Sequence, residues 1–166
     1  MFVKGEDFYF LSYNIFLLLL TYESTNEKSR FRDYRKLAFL IDFISDSRLS
    51  RLLDNPTTHY NIADKDFLNR SYANGLLRMN EILKLLFALE KHKIITLLKD
   101  NDSNSLDVYL NTEELARSFW DWELFLNEKQ NLSRLKTNIP KLKSLKLETL
   151  LSKLYYNYSD KQWDIF

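Results

Sequence analysis

Few residues in this chain could carry covalent or proton-transfer chemistry, and their spacing argues against the familiar routes. The chain has no cysteine and two histidines. Thiol catalysis and a disulfide framework are therefore excluded, and structural zinc would need both histidines plus carboxylates. His59 and His92 fall on different predicted elements, with no second histidine at helical spacing and no carboxylate pair of the metal-binding pattern. Flanked by Lys91 and Lys93, His92 reads as a helix-end cation. Gly5 and Gly75 are the two glycines, and neither precedes the Lys-Ser/Thr pair of a phosphate-cradling loop. No Gly-x-Ser-x-Gly elbow occurs. A triad assembled in space stays open, but the missing motifs point away from an enzyme, and no cofactor or metal is expected.

Recognition chemistry is better represented. Leu115, Phe119, Trp122 and Leu126 follow at four-three-four spacing and read as a packing seam, which puts Trp120 on another side of the same predicted helix as an interface anchor or a cover over the hairpin. The C-terminal stretch holds Trp163 and Phe166, too apolar for a free solvated end. Phe119, Trp120, Trp122, Phe125 and Trp163 are thus candidate partner-interface residues. Basic charge gathers between Lys129 and Lys153, with seven Lys or Arg against the single acid Glu148. Within it, Arg134, Lys136, Lys141, Lys143 and Lys146 are candidate contacts to nucleic acid or an acidic partner, although a solvated face is the commonest role of such a run. A smaller cluster, Lys28, Arg30, Arg32, Arg35 and Lys36, opens a predicted helix, where cations oppose the helix dipole and hint at a role beyond local stability.

The elements that must position these residues can be read from the apolar pattern. With 166 residues, 32 of them Leu, and only two Gly and two Pro, a mainly helical chain able to bury a real core is expected. A first helix spans about Glu6 to Ser24. Its run Ile15-Phe16-Leu17-Leu18-Leu19-Leu20 is interrupted by Ser12 and Asn14 upstream and preceded by Glu6-Asp7, too short and wrongly flanked for a membrane span or signal peptide. No membrane association and a reducing cytoplasm are the expectations. A second helix covers about Ser29 to Leu53, and Pro56 then breaks the chain. A third begins near Asp64 or Asp66, with a turn at Asn74-Gly75 before a helix carrying Ile82, Leu83, Leu85, Leu86, Phe87 and Leu89. Apolar residues that dense predict a helix covered on most sides. After Lys91-His92-Lys93 come Ile94 to Leu98, a polar tip Lys99 to Ser105, and Leu106, Val108 and Leu110 in alternation, a hairpin. Asn111 is placed to cap a long helix from Thr112 to about Asn138, Glu114 reaching back. Pro140 then leads into a basic helix ending near Tyr156.

Helix, hairpin, helix in that order predicts a winged helix. The fold class expected is mainly α with a small β-hairpin: a winged-helix-like domain over residues 1–111 that includes N-terminal helices, and a C-terminal helical extension over 112–166. Charge weighs against a free DNA reader. The chain is only +1, the helix Leu76 to Lys93 offers a duplex little beyond Arg78, Lys84 and its terminal cations, and the wing tip sets Asp100 and Asp102 against Lys99. A winged helix used as a protein scaffold is favoured over one that reads DNA.

Phe67-Leu68-Asn69-Arg70-Ser71, followed by Ile82-Leu83-Lys84-Leu85-Leu86-Phe87-Ala88-Leu89-Glu90-Lys91-His92-Lys93-Ile94, resembles the middle component of bacterial three-component ABC-ATPase defence systems, including the small subunit of Lamassu. Arg35 to Phe43 is compatible, and the matching stretch covers about a third of the chain. The usual glycine of the turn is replaced here by His92 or Lys93. The resemblance implies a non-catalytic accessory subunit that joins an SMC-like ATPase to an effector such as a nuclease in anti-phage or anti-plasmid immunity, with DNA met through the complex. The alternative is a winged-helix transcriptional regulator that uses Arg78, Lys84 and the basic helix. A helical antitoxin or inhibitor is a third reading.

Overall fold

A computed structural model describes residues 4–55, 60–112 and 123–155. The order is helix α1 (Lys4–Thr21), α2 (Arg35–Ser45), α3 (Ser47–Leu52), α4 (Ile62–Lys91), strands β1 (Ile95–Asp100) and β2 (Ser105–Leu110), then α5 (Leu126–Asn138) and α6 (Leu147–Tyr155). Short 3-10 turns lie at Glu27–Ser29, Glu123–Phe125 and Leu142–Ser144. The chain is mainly helical with a two-stranded antiparallel hairpin, Ile95 facing Leu110 and Asp100 facing Ser105.

In α1 every residue from Ile15 to Leu19 is buried, and no described helix is long and apolar enough to cross a membrane. In α1, Ser12, Asn14 Nδ2 and Thr21 donate to carbonyls one turn back, while among the described residues the buried Asn14 Oδ1 has no hydrogen-bond partner. α2 is buried from Lys36 to Ile41 and again at Phe43 and Ile44, and packs against α1, α4 and α5.

The second helix does not begin at Ser29. Phe31 exchanges both backbone hydrogen bonds with Val108, and the Tyr34 amide donates to the Leu106 carbonyl, so residues 31–34 line the free edge of β2 and cannot be helical. Lys28, Arg30 and Arg32 therefore precede α2, and only Arg35 and Lys36 stand in its first turn, which removes most of the opposition to the helix dipole. Nor does this helix reach Leu53 unbroken: Asp46 is extended, and its carboxylate caps α3 at the Arg48 amide.

The turn expected at Asn74-Gly75 is absent, since α4 runs through it for 30 residues. Gly75 serves a close helix crossing instead. A Cβ there would come within 2.6 Å of Phe39 Cε1, so α2 and α4 can meet only where the side chain is missing. The expected cover over α4 is also incomplete. Leu68, Ser71, Gly75, Ile82, Leu85, Leu86 and Leu89 are buried along one side, whereas Leu77 and Phe87 are 79% and 51% exposed.

Residues 126–155, which the sequence presents as an extension, contribute Leu132, Leu135, Ile139, Leu142, Leu150 and Leu154 to the same core as α1 and α2. Asn131 donates from Nδ2 to the Ile44 carbonyl at 2.8 Å inside that core. The basic helix after Pro140 divides: a 3-10 turn at Leu142–Ser144, then extended backbone at Leu145, precede α6.

Candidate functional site

The residues proposed from sequence fall into three groups. Phe119, Trp120, Trp122 and Trp163 lie outside the described residues, as do His59 and Glu114. Phe125 is described, half-buried with its ring 5.5 Å from that of Tyr13, which in turn stacks near Tyr9 at 6.3 Å. The third group is the basic set, and the fold uses most of it internally.

Arg134 pairs with Asp54 at 2.9 Å. The Lys136 and Lys143 ammonium groups donate to the Thr21 and Tyr22 carbonyls at 2.9 and 3.1 Å, closing the C-terminus of α1, where free carbonyls and the helix dipole favour cations. Arg78 turns inward to the Asp42 carboxylate (2.9 Å) and the Ala38 carbonyl (3.1 Å). It links α4 to α2 and is not presented to a duplex. Lys84, Lys141 and Lys146 are exposed. Asn111 accepts from the Thr96 hydroxyl and donates to the Lys93 carbonyl, tying the base of the hairpin to the end of α4; the first turn of the helix it was expected to cap runs past Thr112, outside the described residues.

Two surface features stand out that the residue pattern did not single out. One is apolar. On α4, Leu76, Leu77 and Phe87 are 41%, 79% and 51% exposed; at 100° per residue they lie on the side opposite the buried row. The signal was present in sequence, because six apolar residues between Ile82 and Leu89 exceed what one buried stripe can take. Phe8, Tyr9 and Phe10 on α1, Leu124 in the turn before α5 and Leu126 at the start of α5 are also exposed.

The other is a charged groove of about 570 Å³ between the hairpin tip and the start of α6, lined by Arg30, Arg32, Arg35, Asp100, Lys146 and Glu148 among others. Its floor is a set of fixed ion pairs. Asp107, buried on β2, accepts from Arg30 Nε at 2.8 Å and from the Asp33 amide at 3.0 Å. Asp33, in left-handed backbone at φ 62°, is held by two guanidinium bonds from Arg35 and one from the Ser105 hydroxyl. Burial pushes the Asp33 carboxyl up, but the bonds from Arg35 and Ser105 outweigh it and hold the group below the usual carboxylate range. At the rim, the Ser103 hydroxyl keeps the Asp100 carboxyl low as well.

Among the described residues no three His, Cys, Asp or Glu side chains converge in a way that could hold a metal ion. No protein-family model, curated protein or solved structure matches this chain.

Proposed function

We propose that the chain is a non-catalytic accessory subunit of an SMC-like ATPase complex in anti-phage or anti-plasmid defence, bridging the ATPase and an effector such as a nuclease. The observation that carries this reading is the solvent side of α4, where Leu76, Leu77 and Phe87 stand exposed, Phe87 within and the two leucines between the stretches whose sequence resembles that family. Contiguous exposed apolar patches mark protein-interaction sites, and these three side chains share the solvent side of α4. The disposition of charge supports the same conclusion, because Arg78, Arg134, Lys136 and Lys143 all bond within the fold. In this reading α4 and the hairpin act as the winged-helix part of a protein scaffold, and Phe119, Trp120 and Trp122 add to the partner surface.

Tagging the chain in its native host and identifying co-purifying proteins tests the proposal. Recovery of an SMC-like ATPase is expected, and Leu77→Asp with Phe87→Asp should abolish it while the melting temperature holds, since exposed substitutions usually change stability by less than about 0.5 kcal/mol. Unchanged recovery by the folded double variant would remove α4 from the interface. Recovery of the chain alone, together with duplex binding that falls steeply with salt, would replace the adaptor with the regulator.

A further inference from the structure

Among the contacts that tie the segment between α5 and α6 to the rest of the molecule is one buried ammonium group. Lys36, the second residue of α2, is 0% exposed. Its Nζ donates to the carbonyls of Leu142, Lys143 and Leu145 at 2.8, 3.0 and 2.9 Å, and the Phe31 ring centre lies 4.5 Å away. A lysine ammonium has three N–H donors and no lone pair, so it matches three acceptors one to one. The neutral amine has two N–H groups and a lone pair. On losing its proton, Lys36 must withdraw its donor from one of the three carbonyls and turn a lone pair toward it, in a buried setting where such a mismatch is costly.

No described carboxylate forms an ion pair with Lys36. Asp33 and Arg32 face it from the segment before α2, and Asp107 faces it from β2. Both carboxylates are engaged by other groups, Asp33 by Arg35 on α2 and Asp107 by Arg30. On the turn itself, the Lys143 ammonium is directed away to Tyr22. Burial brings the Lys36 pKa down to about 7, against the opposing pull of Asp33 and Asp107.

We propose that Lys36 and the carbonyls of Leu142, Lys143 and Leu145 form a proton-operated latch: the charged side chain holds residues 142–146 against α2, and proton loss loosens them. The groove responds because Lys146 and Glu148 form one of its walls and Arg30, Arg32 and Arg35 another. The change is local. Leu142 remains in the core, and the Arg32 amide still donates to the Lys143 carbonyl. This inference does not rest on the adaptor reading.

Hydrogen exchange of the Leu142, Ser144 and Leu145 amides, corrected for the intrinsic rate, tests the latch between about pH 6 and about pH 8.5. Protection should fall about tenfold or more with a midpoint near the Lys36 pKa in the wild type, while Lys36→Arg, which keeps its charge, should show a flat profile. The wild-type Lys36 13Cε shift, followed over the same range, needs no variant to fold and should titrate together with the protection. A flat wild-type profile, or a 13Cε titration with no change in protection, overturns the proposal.

Discussion

The buried ammonium of Lys36 shows how one residue can pull stability and local order in opposite directions. Its pKa is about 7 in the fold against an ordinary 10.5, so between those values the unfolded chain holds a proton that the folded chain lacks. The sign follows: this group makes the fold least stable below about pH 7, and stability climbs as pH rises from there toward 10.5, by up to roughly 4–5 kcal/mol. The turn at 142–145 should loosen at the lower end of that window, as pH passes about 7. Urea titrations across that range should show the climb in the wild type and lose it in Lys36→Met. That variant also removes the lysine donor from the Leu142 and Leu145 carbonyls; Leu142 keeps the Leu145 amide, so the cost of about 1–3 kcal/mol falls on the Leu145 carbonyl. Asp33 works the other way. Its lowered pKa contributes stability at neutral pH that is lost as pH falls through the folded value. Asparagine tolerates left-handed backbone, so Asp33→Asn isolates the charge. A loss of about 1–3 kcal/mol at neutral pH that shrinks on acidification is expected, and a loss independent of pH would assign the role to geometry alone.

Among the elements, α4 departs most from its sequence pattern. A glycine beside asparagine is a common turn signal, yet Gly75 sits inside a helix with ordinary negative φ. Helix propensity alone predicts that Gly75→Ala gains about 1 kcal/mol. The Phe39 ring, buried against it, predicts an overpacking cost of about 1–3 kcal/mol. A lower urea midpoint for Gly75→Ala is therefore expected, and a raised one would mean that the α2–α4 contact yields easily. The hairpin, by contrast, was legible. The alternation of Leu106, Val108 and Leu110 with polar neighbours marks β2, whose Val108 and Leu110 are fully buried, although Leu106 is half-buried and Asp107 is buried with its ion-pair partner. Period-two alternation has few competing readings, whereas an isolated glycine has several.

At the scale of the whole molecule, the core collects side chains from both ends of the described chain. Leu11 and Ile15 share it with Leu150 and Leu154. If residues 126–155 fold as one unit with the rest, Asn131→Ala should cost about 1–3 kcal/mol, since it removes the donor to the Ile44 carbonyl from a fully buried site. Calorimetry should then show one transition at a lower temperature. Two transitions, with only one shifted, would instead support a separate C-terminal part. Much of the charge that looked available for a partner is engaged by this packing. Lys136 and Lys143 complete the end of α1 from more than a hundred positions away.

By itself the sequence determined the helical class, the hairpin with its polar tip, the burial of the first apolar run and the lack of any thiol. These follow from residue type and short-range period, which depend on neighbours a few positions apart. Tertiary structure alone decided the rest: which cations face solvent, why Gly75 is a glycine, and that Lys36 meets three carbonyls over a hundred residues downstream. A long side chain bonds to whatever the fold brings within its reach, and no local pattern records that partner.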